Sequence, residues 1–281
     1  MSIAANSAPA DAGPRWQPRQ RWWLSVIALL LAVACLIPPV STFATRYVFV
    51  GAIQYCFFAT VIPALVVLSA PWHLLRLAGG EGDGPAALGP ADRLAASRAT
   101  DTPFLRSAAF LGIFVVVAGL WRLPAAVDAL AQHPALAVAE MVTLVLAGTG
   151  LWLELVTSPP LRPRGSGLQR ALIAALAMWF IWAIAYILGF ATHGVFHAFR
   201  YPPGNGLGAV ADQELATGVM WAVAAAYFVP LVFIAAVGWL RDIDNADAEL
   251  AGAAREGLPA VKGWGHRAPV RGSNGRPRVG R

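Results

Sequence analysis

Few ionisable side chains fall inside the apolar runs of this chain, so those that do are the first candidates for chemistry. Glu140 lies several residues within one such run, and Arg122 ends another on the same side of the bundle. A charge at that depth is expensive, and pairing the two would lower the burial cost of both. The pair reads either as a helix–helix clasp or as a functional ion pair. Glu154, at the far end of the run that holds Glu140, reads as a carboxylate near the interface and within reach of water. His193 and His197 are four apart, so a helix continuing through them would put both imidazoles on one face. His133, Asp212 and Glu214 belong to the other segments expected on that side. Imidazoles suit copper or zinc, and Met141, Met220, Cys35 and Cys56 could add soft donors for Cu(I). The same methionines and cysteines serve equally well as apolar filler. No hydrolase elbow, phosphate loop, dinucleotide fingerprint or CxxC pair is present.

The elements that must carry these residues are membrane helices. The chain has 281 residues, of which 58% are hydrophobic and only 13% charged. Its mean hydropathy is +0.60. A soluble domain carries about a quarter charged residues. The apolar residues come in continuous runs near the ~20 residues that cross a bilayer as helix. They do not alternate as the strands of a membrane barrel do. The expected fold is therefore an all-α, polytopic transmembrane helix bundle of six spans: Trp22–Val40, Tyr47–Ala70, Ser107–Pro124, Ala135–Leu155, Ala171–Phe190 and Gly218–Leu240. Three regions follow: an N-terminal cytoplasmic segment (1–21), the six-helix domain (22–240) and a basic cytoplasmic tail (241–281).

Charge orients the bundle. With both termini cytoplasmic, all of the 21 Lys and Arg except Arg46, Arg122 and Arg200 fall on the inner side. That asymmetry is what the positive-inside rule predicts. The net charge of +6 is thus topogenic, matched to a lipid bilayer with anionic headgroups and not to nucleic acid. The expected location is a bacterial inner (plasma) membrane. Cys35 and Cys56 fall within spans and make no disulfide framework. Ala32-Val33-Ala34-Cys35 also admits a lipoprotein-type cleavage reading, which would leave five spans. Between spans, 91–97 can form a short surface helix, and Ser158-Pro159-Pro160-Leu161 a stiff turn. Arg241–Glu256 can extend the last helix, and 257–281 reads as disordered.

One stretch is distinctive: Ala211-Asp212-Gln213-Glu214-Leu215-Ala216-Thr217-Gly218-Val219-Met220-Trp221. It resembles the DQ…MW signature of the CtaG family of cytochrome c oxidase assembly factors, the type associated with caa3 oxidases. Leu120-Trp121-Arg122-Leu123-Pro124 is similar to that family's W-x-H-x-P segment. Ile53-Gln54-Tyr55, with the prolines Pro63 and Pro71 downstream, is similar to its HMxQH helix. Ala139-Glu140-Met141 stands where the family has Glu-His. The resemblance implies an integral membrane, non-enzymatic assembly factor whose partners are heme–copper oxidase subunits, supporting copper insertion or holding the catalytic subunit during maturation. It also marks departures. Gly51, Tyr55, Arg122 and Met141 occupy positions of the family's histidines, and of these only Met141 is a credible Cu(I) ligand. A guanidinium at Arg122 would stand in for a metal cation beside Glu140. Copper held by His193, His197 and Met141 is the relocated-site form of the same reading.

Two further classes compete. A small-solute or metal-ion transporter would need a polar path near mid-membrane, for which Glu140 and scattered Gly, Ser and Thr are the only pointers. An enzyme with a metal at His193 and His197 would lack a general base, a nucleophile and a third firm ligand.

Overall fold

A computed structural model describes residues 21–72, 75, 77, 89–98, 102–199 and 207–255, the side chains as far as Gly252. Expectations for 1–20 and 256–281 lie outside these residues. The chain divides into two compact units, Met1–Val237 and Gly238–Arg281. Among the described residues the architecture is helical, with a single isolated bridge between Ser158 and Leu161.

Among the described residues, five helices are long and apolar enough to cross a membrane: α3 (Val48–Ser69), α5 (Pro103–Leu120), α7 (Leu136–Leu155), α8 (Gly167–Gly189) and α9, which runs Ala209–Arg255. The expected first span instead divides into α1 (Trp22–Leu36) and α2 (Val40–Ala44). At 15 residues, α1 rises about 22 Å, short of a ~30 Å hydrocarbon core. Pro38 and Pro39 supply no backbone donors, which is why the helix stops there. The third span starts at Pro103, four residues earlier than expected. It ends at Leu120 because Leu123, preceding a proline, is extended (φ −62°, ψ 140°). Pro124 then opens a separate helix, α6 (Pro124–Gln132). The short helix expected at 91–97 is α4 (Pro90–Ser97). The stiff turn closes through the Ser158 N–H donating to the Leu161 carbonyl at 2.9 Å.

α3 is the most buried span and organises the first unit. Pro63 cannot donate to the carbonyl one turn back, and the ladder slips into a π turn over Phe57–Val61. α7 fits against this irregularity at Gly148, where an added Cβ would lie 2.5 Å from the Ala59 carbonyl oxygen and 2.6 Å from Pro63 Cγ. Small residues at such crossings let backbones approach closely. Ala70, in the left-handed region at φ 47°, ends α3 ahead of Pro71. The buried face of the unit centres on Tyr55, Phe58, Phe114, Leu144, Leu151 and Phe228. Leu146, Leu176, Ile187 and Phe233 stand outward on the span helices, the arrangement expected where lipid, not water, surrounds the protein.

Candidate functional site

The positions singled out in α3, α5 and α7 converge near one end of the bundle. Arg122, in the turn after α5, places its Nη2 3.3 Å from Glu140 Oε1 of α7 and 3.4 Å from the Gly51 carbonyl oxygen of α3. Its guanidinium carbon lies 4.1 Å from the centroid of the Tyr55 ring, so the cation is held by a carboxylate, a carbonyl and an aromatic face together. Both charged side chains are almost fully buried, at 4% and 3% exposure. Tyr55 donates its hydroxyl to the Ala118 carbonyl at 3.1 Å. Gln54, also buried, donates to the Cys35 carbonyl and ties α3 to α1. A cavity of about 40 Å³ adjoins the cluster, walled by Gly51, Gln54, Arg122 and Glu140 and bounded by Val127 and Phe199.

The four positions at which histidine was expected by resemblance thus do not scatter. Gly51, Tyr55 and Arg122 meet around the guanidinium itself. Met141 is next to Glu140 on α7 and packs partly buried against the core. A metal cation fits this point poorly, because the guanidinium already occupies the space between carboxylate, carbonyl and ring.

Asp212 and Gln213, at the start of α9, are both 2% exposed and work as a pair of clasps. The Asp212 carboxylate accepts the Val48 and Phe49 N–H groups at 2.8 and 2.9 Å, capping the first turn of α3 from a distant helix. Gln213 accepts the Val195 N–H at 2.9 Å and donates to the Leu188 carbonyl at 2.7 Å, fixing the end of α8 and the segment beyond it. Met220 is fully buried. Trp221 stacks on Trp182 of α8 with centroids 4.8 Å apart, and Trp182 Nε1 donates to the Trp221 carbonyl at 3.1 Å. Trp121 donates to the Thr143 hydroxyl at 2.8 Å, joining α5 to α7, and Pro124 begins α6.

The histidines are placed differently from expectation. α8 ends at Gly189 with Phe190 as its cap, so His193 and His197 do not share a helical face. His193 lies exposed in a bend, and His197 opens a 3₁₀ turn, His197–Phe199. Asp128 of α6 accepts the His197 and Ala198 N–H groups at 3.2 and 2.9 Å, with the His197 ring nitrogen 3.4 Å away. His133 and Glu214 are exposed. Among the described residues, no three His, Cys, Asp or Glu side chains assemble as a metal site.

Glu154 corrects a second expectation. Its side chain is 1% exposed, and it does not reach water. Arg106 approaches it bidentately, Nε to Oε1 at 3.0 Å and Nη2 to Oε2 at 3.1 Å. Arg98 donates to the same Oε1, and Ser107 to Oε2 at 2.9 Å. This carboxylate therefore joins α7 to α5 and to the segment that follows α4. Sequence reading missed the cluster because its partners lie about 50 residues upstream. The available signal was Arg106, a guanidinium at the edge of an apolar run.

The family model described as cytochrome c oxidase caa3 assembly factor (Caa3_CtaG) matches residues 4–242 of the chain. No curated protein and no solved structure matches.

Proposed function

Because the chain belongs to the cytochrome c oxidase caa3 assembly factor family, we propose that it acts as a metal-independent scaffold, holding the catalytic subunit of a heme–copper oxidase while that subunit matures. The observation that carries this reading is the Arg122 guanidinium, 3.3 Å from Glu140 and 4.1 Å from the Tyr55 ring centroid. A resident cation satisfies a buried carboxylate electrostatically, as a bound metal would, but it offers no ligand-exchange chemistry. What remains is a rigid bundle with an apolar outer surface, suited to packing against other membrane helices. The scaffold is non-enzymatic in this reading and resides in a bacterial plasma membrane. It has six crossings, with α1 and α2 making the first, and both termini cytoplasmic, as the Lys and Arg distribution supports.

The test has two arms. In the first, the purified, detergent-solubilised chain is loaded with Cu(I) under reducing conditions and its metal content measured. The expected result is no stoichiometric copper. Copper at 1:1 that is lost in Met141→Ala, or in His193→Ala/His197→Ala, would overturn the metal-independent form and make the chain a copper carrier with a relocated site. In the second, deletion of the gene is expected to lower heme–copper oxidase activity, with rescue by the His193→Ala/His197→Ala variant. Unchanged oxidase activity on deletion would remove the assembly role itself.

A further inference from the structure

We propose that the stretch of α9 between Gly238 and Gly252 is a docking surface for a basic amphipathic helix of a second protein. Every residue from Leu240 to Ala251 is exposed, and the apolar side chains of Leu240, Ile243 and Leu250 are 52%, 40% and 54% accessible. On a helix, Trp239, Ile243, Ala246 and Leu250 follow the alternating four- and three-residue spacing that lines up one seam. Asp242 and Glu249 border that seam on one side, and Leu240 and Asp247 on the other, with Asp244 beyond them. The opposite face carries Arg241, Asn245 and Ala248. An apolar seam with Asp242 and Glu249 along one edge and Asp247, next to Leu240, along the other is the pattern of a pairing helix and not of a purely solvated one.

The charges select the occupant. In a parallel pair of two copies, Asp242 of one helix would face Asp247 of the other, placing like charges across the seam. An antiparallel pair would set each acidic edge against its own kind. Self-association is therefore opposed in both orientations. Anionic lipid headgroups are repelled for the same reason. A helix with a matching seam flanked by Lys or Arg satisfies both edges at once, and charge of this kind sets partner choice more than affinity. The docking proposal stands on unit-local geometry and does not depend on the oxidase reading.

The test uses the full-length chain in neutral detergent and two synthetic helical peptides that share one apolar seam, one flanked by lysines and the other by glutamates. Binding is followed by fluorescence anisotropy at low salt and at ~0.5 M salt, where exposed charges are screened. The lysine peptide is expected to bind at least about tenfold tighter, equivalent to ~1.4 kcal/mol, with the preference shrinking at high salt. The Asp242→Lys/Asp247→Lys/Glu249→Lys variant should invert the preference, and Ile243→Ser/Leu250→Ser should lose both peptides. These substitutions fall at exposed positions, and circular dichroism would verify that the helix persists. Equal binding of the two peptides would overturn the proposal, as would a preference that survives charge reversal. Efficient disulfide cross-linking between two copies through Ile243→Cys would instead assign the seam to a homodimer. A tenfold gain in lysine-peptide affinity on removing residues 257–281 would assign it to the chain's own tail. Either result would also overturn it.

Discussion

The carboxylate of Asp212 accepts the backbone N–H of Val48 at 2.8 Å, so the first turn of α3 is capped by a residue 164 positions later in the chain. Helix N-termini leave several N–H groups without intrahelical partners, and a negative charge there is favoured by the helix dipole. Here the cap also fixes where α9 meets α3. Gln213 does the equivalent work at Leu188 and Val195. The Asp-Gln pair that distinguishes the sequence is thus a fastening between helices, with both side chains fully engaged.

Removing that fastening should be costly. Asp212→Ala would leave two N–H groups at the start of α3 without their acceptor, and a loss of about 1–3 kcal/mol is expected. Asp212→Asn, which keeps one acceptor oxygen, should lose less. Thermal unfolding of the detergent-solubilised variants would check the order. An Asn variant as unstable as the Ala variant would mean that charge, not acceptance, does the work.

The Arg122–Glu140 pair predicts a non-additive cycle. Glu140→Ala leaves a guanidinium buried near lipid with only a carbonyl and a ring for company. A loss of about 3–5 kcal/mol is expected for breaking a buried pair from one side. The double variant with Arg122→Ala removes both charges and should be more stable than Glu140→Ala alone. Comparing unfolding midpoints of both single variants and the double variant decides the matter. Additive losses would argue that the two side chains do not interact.

The Glu154 cluster should be the more sensitive of the two carboxylate sites. One carboxylate there answers two guanidinium groups and a hydroxyl, so Glu154→Ala leaves Arg98 and Arg106 facing one another in a buried setting. The expected loss is at the upper end of ~3–5 kcal/mol. Ser107→Ala, which removes a single donor, should cost about 1 kcal/mol. Limited proteolysis would add a local readout, with the segment between α3 and α5 cleaved faster in Glu154→Ala than in Ser107→Ala.

Most of the bundle was legible because a span announces itself by length. The runs that became α3, α5, α7 and α8 are apolar over enough residues that no packing detail is needed to place them. Where helices break was read less well. Pro38 and Pro39 divide the first run into two short helices, and the chain leaves helix at Phe190 before reaching His193. The Arg122–Glu140 contact could be anticipated, since a charge deep in an apolar run needs a partner and Arg122 ends another apolar run on the same side. That Gly51 and Tyr55 would join it, and that Glu154 would be sealed by Arg98 and Arg106, depended on which helices are neighbours. Apolar periodicity carries little of that information in a chain whose helices are apolar on every face.

Helix neighbours are decided in part by single glycines, which gives a last prediction. A Cβ added at Gly148 would lie 2.5 Å from the Ala59 carbonyl oxygen and 2.6 Å from Pro63 Cγ, both rigid, so it can be admitted only by moving α7 away from α3. Gly148→Ala should therefore destabilise by about 1–3 kcal/mol, as overpacking does. Gly112 of α5 and Gly218 of α9 meet nothing within 4 Å of an added Cβ. Alanine at either should be neutral or slightly stabilising, because it lowers the conformational entropy of the unfolded chain. Gly150 tests the distinction more finely. Its added Cβ would lie 2.5 Å from the edge of the Phe110 ring, a side chain that can turn aside where a backbone carbonyl cannot. The expected order of unfolding midpoints is Gly112→Ala and Gly218→Ala highest, Gly150→Ala intermediate and Gly148→Ala lowest. A Gly148→Ala protein as stable as Gly112→Ala would mean that α3 and α7 are not in contact at the π turn.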